Sequence, residues 1–331
     1  MNDIFCAKQI KDSVEKILNQ HDTCVFIFHG QEGIGKRTFA NILSNKILML
    51  KNKSDYFKID TNLKSDQFQQ KQENLILNKT HPDLFIIEKE INKSIKIEKA
   101  RELKHFLSQT TSISEYKVII IDPIEDLTIN ATNTLLKSLE ETKHNTYIFL
   151  ISHNLQNVLK TIQSRVFKFY FNPISRIEFI SLMSNKKKYS FSDEELILVN
   201  NLFNFSPGKF LQFYLKDNLL MNNYVQFINN FITKNKSSQN LFEIANYNLD
   251  LKLLFLNNFI KNILSYFTDK KFNEFTIEAE KEVIENLNLN SVLIDKIYNE
   301  YNLFQSLLRD ALVYNSNIDD LIEIFLQKID L

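Results

Sequence analysis

The stretch HGQEGIGKRTFA, residues 29–40, sets Gly30, Gly33, Gly35 and Lys36 at the spacing of a phosphate-binding loop. In the pattern G-x-x-x-x-G-K followed by Ser or Thr, backbone N–H groups cradle phosphate oxygens at a helix N-terminus, and the lysine reaches the β- and γ-phosphates. Ile34 lies between Gly33 and Gly35 in the cradle. Arg37 stands where a hydroxyl normally ligates Mg²⁺. Thr38 carries a hydroxyl one residue later, but about 100° further round the helix, so it is no simple substitute. The Arg37 guanidinium can still neutralise phosphate charge from outside the loop.

Cutting a nucleotide also requires an acidic residue at the end of a second strand. Asp122 closes KVIIID and suits the metal-side aspartate. Many such ATPases follow it with a glutamate that orients the attacking water; here Pro123 follows, with no base in its side chain. Glu125 and Asp126 lie a few residues on, a shift of several ångströms, whereas a misplacement of about 1 Å can already cost 10²-fold in rate. Two departures, at Arg37 and at Pro123, point to a site that holds nucleotide and is poorly built to hydrolyse it. Taken alone, Asp122 is equally well a polar cap on a strand end.

These residues need a strand, a loop and a helix to position them, and the pattern supplies that order. TCVFIF (23–28) is a charge-free β-rich run feeding the loop, preceded by helix over 6–20. RTFANILSNKILML then carries Phe39, Ile42, Leu43, Ile47 and Leu50 at helical spacing. Further strands are expected at DLFII (83–87), KVIIID (117–122), NTYIFLIS (145–152) and VFKFYF (166–171). Helices are expected at 97–110 and after Thr128, which can cap a helix whose Ala131, Leu135, Leu136 and Leu139 share a face. Strands alternating with helices predict an α/β domain with a parallel sheet over residues 1–172. The polar segment 51–80 reads as an irregular insertion or surface helices. Beyond Pro173 no strand is expected. Three short helices give a small helical domain over 173–217, with Lys186–Lys188 a solvated turn. Long amphipathic stretches give an all-α domain over 218–331.

The composition fits a soluble globular protein, with 44% apolar and 24% charged residues. Lys plus Arg and Asp plus Glu number 40 each, so no global charge draws the chain to nucleic acid or an anionic membrane. The two cysteines, Cys6 and Cys24, form no C-x-x-C pair, and no zinc is expected. The run LKLLFLNNFIKNILSYF is interrupted by Lys252, Asn257, Asn258, Lys261 and Asn262, so it reads as a buried amphipathic helix rather than a membrane span. The charged N-terminus lacks the apolar stretch of a signal peptide. Three of the four glycines lie in the opening loop; the fourth, Gly208, lies in SPGKF.

Several segments, taken in order, carry a resemblance: GQEGIGKRTFA, HPDLFII, IEKARELKHFLSQTTSISEYKVIIIDPIEDLTINATNTLLKSLEET, NTYIFLISHNLQNVLKTIQSRV and SPGKFLQFY. Over residues 5–215 the chain resembles the delta-prime family of bacterial DNA polymerase III clamp-loader subunits, which are AAA+ proteins. The resemblance implies an AAA+ P-loop domain, a helical lid and a helical collar in a five-subunit ring. Partners would be gamma/tau-type ATPases and delta, with the sliding clamp and primed DNA reached through the assembled ring, in a bacterial cytoplasm. It further implies a rigid, non-hydrolysing partner; the intact loop adds the expectation that ATP or ADP is held without hydrolysis, with the need for Mg²⁺ open. Ser152 falls at the family's sensor 1 position and Lys209 near its sensor 2. Ser164-Arg165-Val166 falls on its Ser-Arg-Cys motif, so Arg165 is the arginine offered to a neighbour's ATP. The valine replaces a cysteine whose loss leaves the guanidinium in place. Many relatives carry a four-cysteine zinc module where residues 51–80 have no cysteine. Other readings are an active clamp-loader ATPase, a structural adaptor with an empty loop, and an unrelated P-loop kinase, for which no acceptor site is evident.

Overall fold

The computed structural model describes residues 8–50, 74–76, 78–89, 95–140, 145–187, 189–214, 220–232, 249–269, 272, 275–287, 289–314 and 316–329. The chain divides into two compact units, Met1–Ile174 and Ser175–Leu331.

In the first unit, α1 (Lys8–Gln20) leads into β1 (Thr23–His29), and the loop then opens α2 (Lys36–Leu48). There follow β2 (Leu84–Glu88), α3 (Ile97–Ser108), β3 (Lys117–Asp122), α4 (Ile129–Glu140), β4 (Thr146–Ser152), the single turn α5 (Lys160–Gln163) and β5 (Phe167–Tyr170). The five strands form one sheet in the order β2-β3-β4-β1-β5, and every pairing is parallel. This is the expected α/β class. Parallel sheets are covered on both faces, which is why VIII and YIFLI read as unbroken apolar runs; β4 is buried along its whole length. The segment 51–80 lies almost wholly outside the described residues, as does Cys6.

The two faces of the sheet have different cores. One holds Ile27, Ile119, Ile121, Ile148 and Leu150 against Leu103, Phe106 and Leu135 of α3 and α4. Phe26, Phe28 and Phe149 stack on the other. There Phe39 of α2 meets Phe28 edge-on at 5.3 Å and Phe171 at 5.7 Å. That aromatic cluster anchors the helix that carries the loop, and removing a buried ring of this kind costs about 3–5 kcal/mol. Thr128 caps α4 as its position suggested, its Oγ1 accepting from the Ala131 N–H at 3.3 Å.

The second unit is helical among its described residues: α6 (Arg176–Lys187), α7 (Asp193–Phe203), α8 (Pro207–Tyr214), α9 (Leu220–Ile232), α10 (Leu249–Thr268), α11 (Glu278–Asn286), α12 (Ser291–Tyr314) and α13 (Ile318–Ile329). It holds both segments expected as lid and collar. Asn201 of α7 donates to Thr276 at 3.1 Å, joining the two. The first two of the three lysines, expected in a turn, continue α6 to Lys187, since lysine is a good helix former and no Gly or Pro intervenes. A reciprocal capping box, Ser192 with Glu195, starts α7. Among the described residues no helix is long and apolar enough to cross a membrane.

Candidate functional site

The loop leaves the C-terminal end of β1 and returns as the first turn of α2. Gly30, Gly33 and Gly35 have φ of 140°, 80° and 101°, a region that side chains rarely adopt. At Gly30 a Cβ would lie 2.5 Å from the Phe171 carbonyl oxygen, so the loop is pressed against the exit of β5. At Gly35, the N-cap of α2, a Cβ would meet nothing within 4 Å. No side chain caps that helix start, which leaves its first turn free of a competing side-chain oxygen, as a phosphate cradle requires. The Ile34 side chain is buried, which leaves its backbone as the part available to a ligand. Lys36 is buried too, its ammonium donating to the carbonyls of Gly30 and Gln31, both at 2.6 Å. Thr38 is exposed on α2.

Arg37 turns toward the strand ends. Its Nη2 lies 2.5 Å from Glu88 Oε1 and its Nη1 3.3 Å from Asp122 Oδ2, while Nε donates to Asn41 Oδ1 at 3.2 Å. Lys79 also pairs with Glu88, at 2.7 Å. β2 and β3 are adjacent, and Glu88 and Asp122 are partners in register. The two carboxylates respond differently. Burial would raise Glu88, but hydrogen bonds and charge from Lys79 and Arg37 outweigh it and hold the group below its usual value. At Asp122 burial wins and raises the pKa, with Arg37, His153 and Lys36 offsetting only part of the effect.

Beside this cluster β4 ends at Ser152, in register with His29 of β1. Ser152 is fully buried, and its Oγ has no hydrogen-bond partner; His153 Nδ1 and Glu125 Oε2 are likewise unpaired. Glu125 Oε1 accepts from the His153 and Asn154 N–H groups at 2.6 and 3.2 Å, so this carboxylate braces the segment that follows β4. Burial, with the Lys36 charge, lowers the His153 pKa and favours the neutral ring. A positive-φ glycine turn at an uncapped helix start, with the Lys36 and Arg37 charges beside it, suits a phosphorylated ligand, so the residues present fit a nucleotide. They do not fit Mg²⁺: position 37 offers no hydroxyl, and the Asp122 carboxylate already faces a guanidinium. Among the described residues no three His, Cys, Asp or Glu side chains gather to hold a metal. Cys24 is buried, its thiol pushed up to about 12 by burial and by the nearby Asp22.

Arg165 lies away from this cluster, between α5 and β5. It is exposed, its Nη2 pairing with Glu140 at 2.9 Å and its Nη1 donating to the Thr161 carbonyl at 2.9 Å. Lys209 stands in the first turn of α8, on the second unit.

The profile of a protein family described as DNA polymerase III, delta subunit, matches residues 6–175, just over half of the chain. The chain belongs to this family. It is similar to DNA polymerase III subunit delta' of Pseudomonas aeruginosa, 44% identical over 87 residues that cover 26% of each protein. With the Bacillus subtilis delta' subunit it shares 30% identity over 167 residues, 50% of this chain and 46% of the relative. The match therefore spans less than half the length of these relatives. Among solved structures, a gamma subunit-related protein of Thermotoga maritima aligns over 96% of this chain and 99% of its own, at 17% identity and a TM-score of 0.48. The Bacillus subtilis clamp loader delta protein aligns over 96% and 98%, at 12% identity and a TM-score of 0.34.

Within the family's domain, the fold gathers Gly30, Gly33, Gly35, Lys36, Arg37, Asp122 and Ser152 around one end of the sheet. Arg165 stands apart, and Lys209 is on the other unit. Sequence reasoning missed Glu88, Glu125 as a brace, His153 and Glu140. Glu88 had a signal: it follows DLFII directly, as the acid that ends the strand.

Proposed function

We propose that this chain is a non-hydrolysing, delta-prime-type subunit of a bacterial, cytoplasmic clamp loader. Its loop holds ATP or ADP through Gly30, Gly33, the Ile34 backbone, Gly35 and Lys36, with Arg37, Thr38, Asp122 and Ser152 around it. Its catalytic contribution is Arg165, offered to the ATP of an adjacent gamma/tau-type subunit. Such a loader, completed by delta, would place the sliding clamp on primed DNA. The observation that carries this reading is the engagement of Arg37 with Asp122 and Glu88. A guanidinium occupies the acidic strand ends where hydrolysis needs a metal, and Pro123 supplies no base. The alternative of an independent ATPase asks both departures to be harmless.

Arg165 supports the second half. An exposed guanidinium held by one exposed ion pair, worth about 0–1 kcal/mol, is available to a partner's phosphates. Fingers given in trans stabilise charge on the transferring phosphoryl group and can be worth on the order of 10³–10⁵ in rate. The test is reconstitution with gamma/tau-type subunits, delta, clamp and primed DNA. The isolated chain should release no phosphate from Mg²⁺-ATP, and the ring should need it for clamp loading. Steady turnover by the chain alone, lost in Lys36→Ala, would overturn the non-hydrolysing assignment.

A further inference from the structure

Two carboxylates and one guanidinium decide which cation this site uses. Asp122 Oδ2 lies 3.3 Å and Glu88 Oε1 2.5 Å from Arg37, and Arg37 replaces the hydroxyl that would complete a metal's coordination shell. We propose that Arg37 stands in for the divalent ion, so that the loop binds the di- or triphosphate group of a nucleotide without Mg²⁺. This rests on the reading of the loop as a nucleotide site.

The chemistry of both cations supports the exchange. Mg²⁺ demands near-octahedral oxygen ligands at about 2.0–2.1 Å and gives up its waters reluctantly. To reach Asp122 it would have to displace a guanidinium bonded to two carboxylates, and it would meet like charge in doing so. Arg37 already satisfies those acids, and Nη1 and Nη2 each carry a second N–H to offer to a phosphate oxygen. The fixed charge has a direction as well. It approaches from the strand-end side of the loop, with the Lys36 ammonium at the first residue of the helix. A nucleotide held this way lacks the ion that bridges its β- and γ-oxygens and neutralises charge during transfer. Retention without cleavage follows from the same residue. The unpaired Ser152 Oγ and His153 Nδ1 beside the loop add neutral polar groups to the site, not metal ligands in the number an ion needs.

The experiment titrates the full chain with a fluorescent ADP analogue, once in EDTA and once in excess Mg²⁺. Binding in EDTA should be at least as tight as in Mg²⁺, because Mg²⁺ ties up the nucleotide in a form the site excludes. Arg37→Thr, which restores the hydroxyl, should bind at least tenfold more weakly in EDTA than in Mg²⁺. With Mn²⁺ as the probe and ADP present, paramagnetic resonance should detect protein-bound metal in Arg37→Thr and none in the parent chain. Tenfold tighter binding by the parent in Mg²⁺, or a protein-bound Mn²⁺ signal from it, would overturn the proposal; that comparison needs no variant. Failure to bind nucleotide in either buffer would overturn it too, together with the loop's nucleotide role. The trans role of Arg165, read out by ring turnover, would then still stand.

Discussion

At the scale of single residues, two arginines contrast in their surroundings. Arg37 is satisfied inside its own subunit by two carboxylates and an amide oxygen, whereas Arg165 has one exposed carboxylate and a carbonyl. Arg165→Ala should leave folding and ring assembly intact. It should abolish turnover at the adjacent ATP site, seen as a loss of that site's share of the ring's phosphate release. Arg165→Lys should not rescue, because an ammonium cannot present the planar fork that meets two phosphate oxygens. Glu140→Ala should change the unfolding free energy by less than about 1 kcal/mol, as expected for an exposed pair. Unchanged turnover in a correctly assembled Arg165→Ala ring would remove this arginine from the mechanism. Gly30 is a different kind of residue, required by geometry. Gly30→Ala puts a Cβ on a backbone carbonyl that belongs to the sheet edge, at a positive φ. It should lower stability by about 1–3 kcal/mol in denaturant unfolding and weaken nucleotide binding with it. The glycines and Lys36 were legible because a loop motif is local. Glu88 as the partner of Arg37 was not, because 51 residues separate them and only strand adjacency brings them together.

At the scale of elements, the α/β half was legible almost strand for strand: buried parallel strands are continuous apolar runs, and KVIIID ends where β3 ends. The helical half was legible as stripes and not as a network. Leu251, Phe255, Phe259 and Ile263 of α10 are buried as their spacing predicts. Two of the asparagines that interrupt that stripe, Asn258 and Asn262, are buried as well. Asn258 donates to Tyr224 Oη at 2.8 Å and to Thr276 at 3.1 Å, and Asn262 donates to Glu280 at 2.9 Å. Glu280 is fully buried and also accepts from Tyr224 Oη at 2.8 Å and the Thr276 N–H at 2.7 Å. Burial raises the Glu280 pKa, and these hydrogen bonds offset it only in part. The folded chain therefore holds this proton more tightly than the unfolded chain. Its stabilising contribution is complete below the unfolded value, near about 4.3, and is lost as pH rises through the higher folded value. In denaturant titrations, stability should fall across that window relative to Glu280→Gln, which carries no such proton. Glu280→Ala, which strands three buried donors, should cost about 3 kcal/mol at low pH and less as pH rises through the folded value. Parallel stability curves for the parent chain and Glu280→Gln would mean that Glu280 is not the titrating group.

At the scale of the whole molecule, the question is where the chain can be cut. Sequence patterning suggested a lid ending near residue 217 and a separate collar. The helices on either side of that point share one polar core, since Asn201 of α7 and Asn258 of α10 both donate to Thr276 at 3.1 Å. Compact packing groups both segments in one unit, Ser175–Leu331. The pattern could not reveal this, because amphipathic periodicity says which face of a helix is buried and not against which helix. A chain ending at residue 217 should therefore behave as a damaged protein. It would expose the apolar faces of α7 and α8 and leave Asn201 without its hydroxyl partner, and it should aggregate or bind a hydrophobic dye. A chain ending at residue 174 keeps its five-stranded sheet and both its cores. It should unfold cooperatively and retain nucleotide binding through the loop. If α9 to α13 hold the subunit in the ring, this shorter chain should stay out of the assembly, and the 175–331 unit should enter it without Arg165 and leave the neighbouring site slow. Co-elution of 1–174 with the other loader subunits would place the ring contacts in the α/β half and overturn the collar assignment.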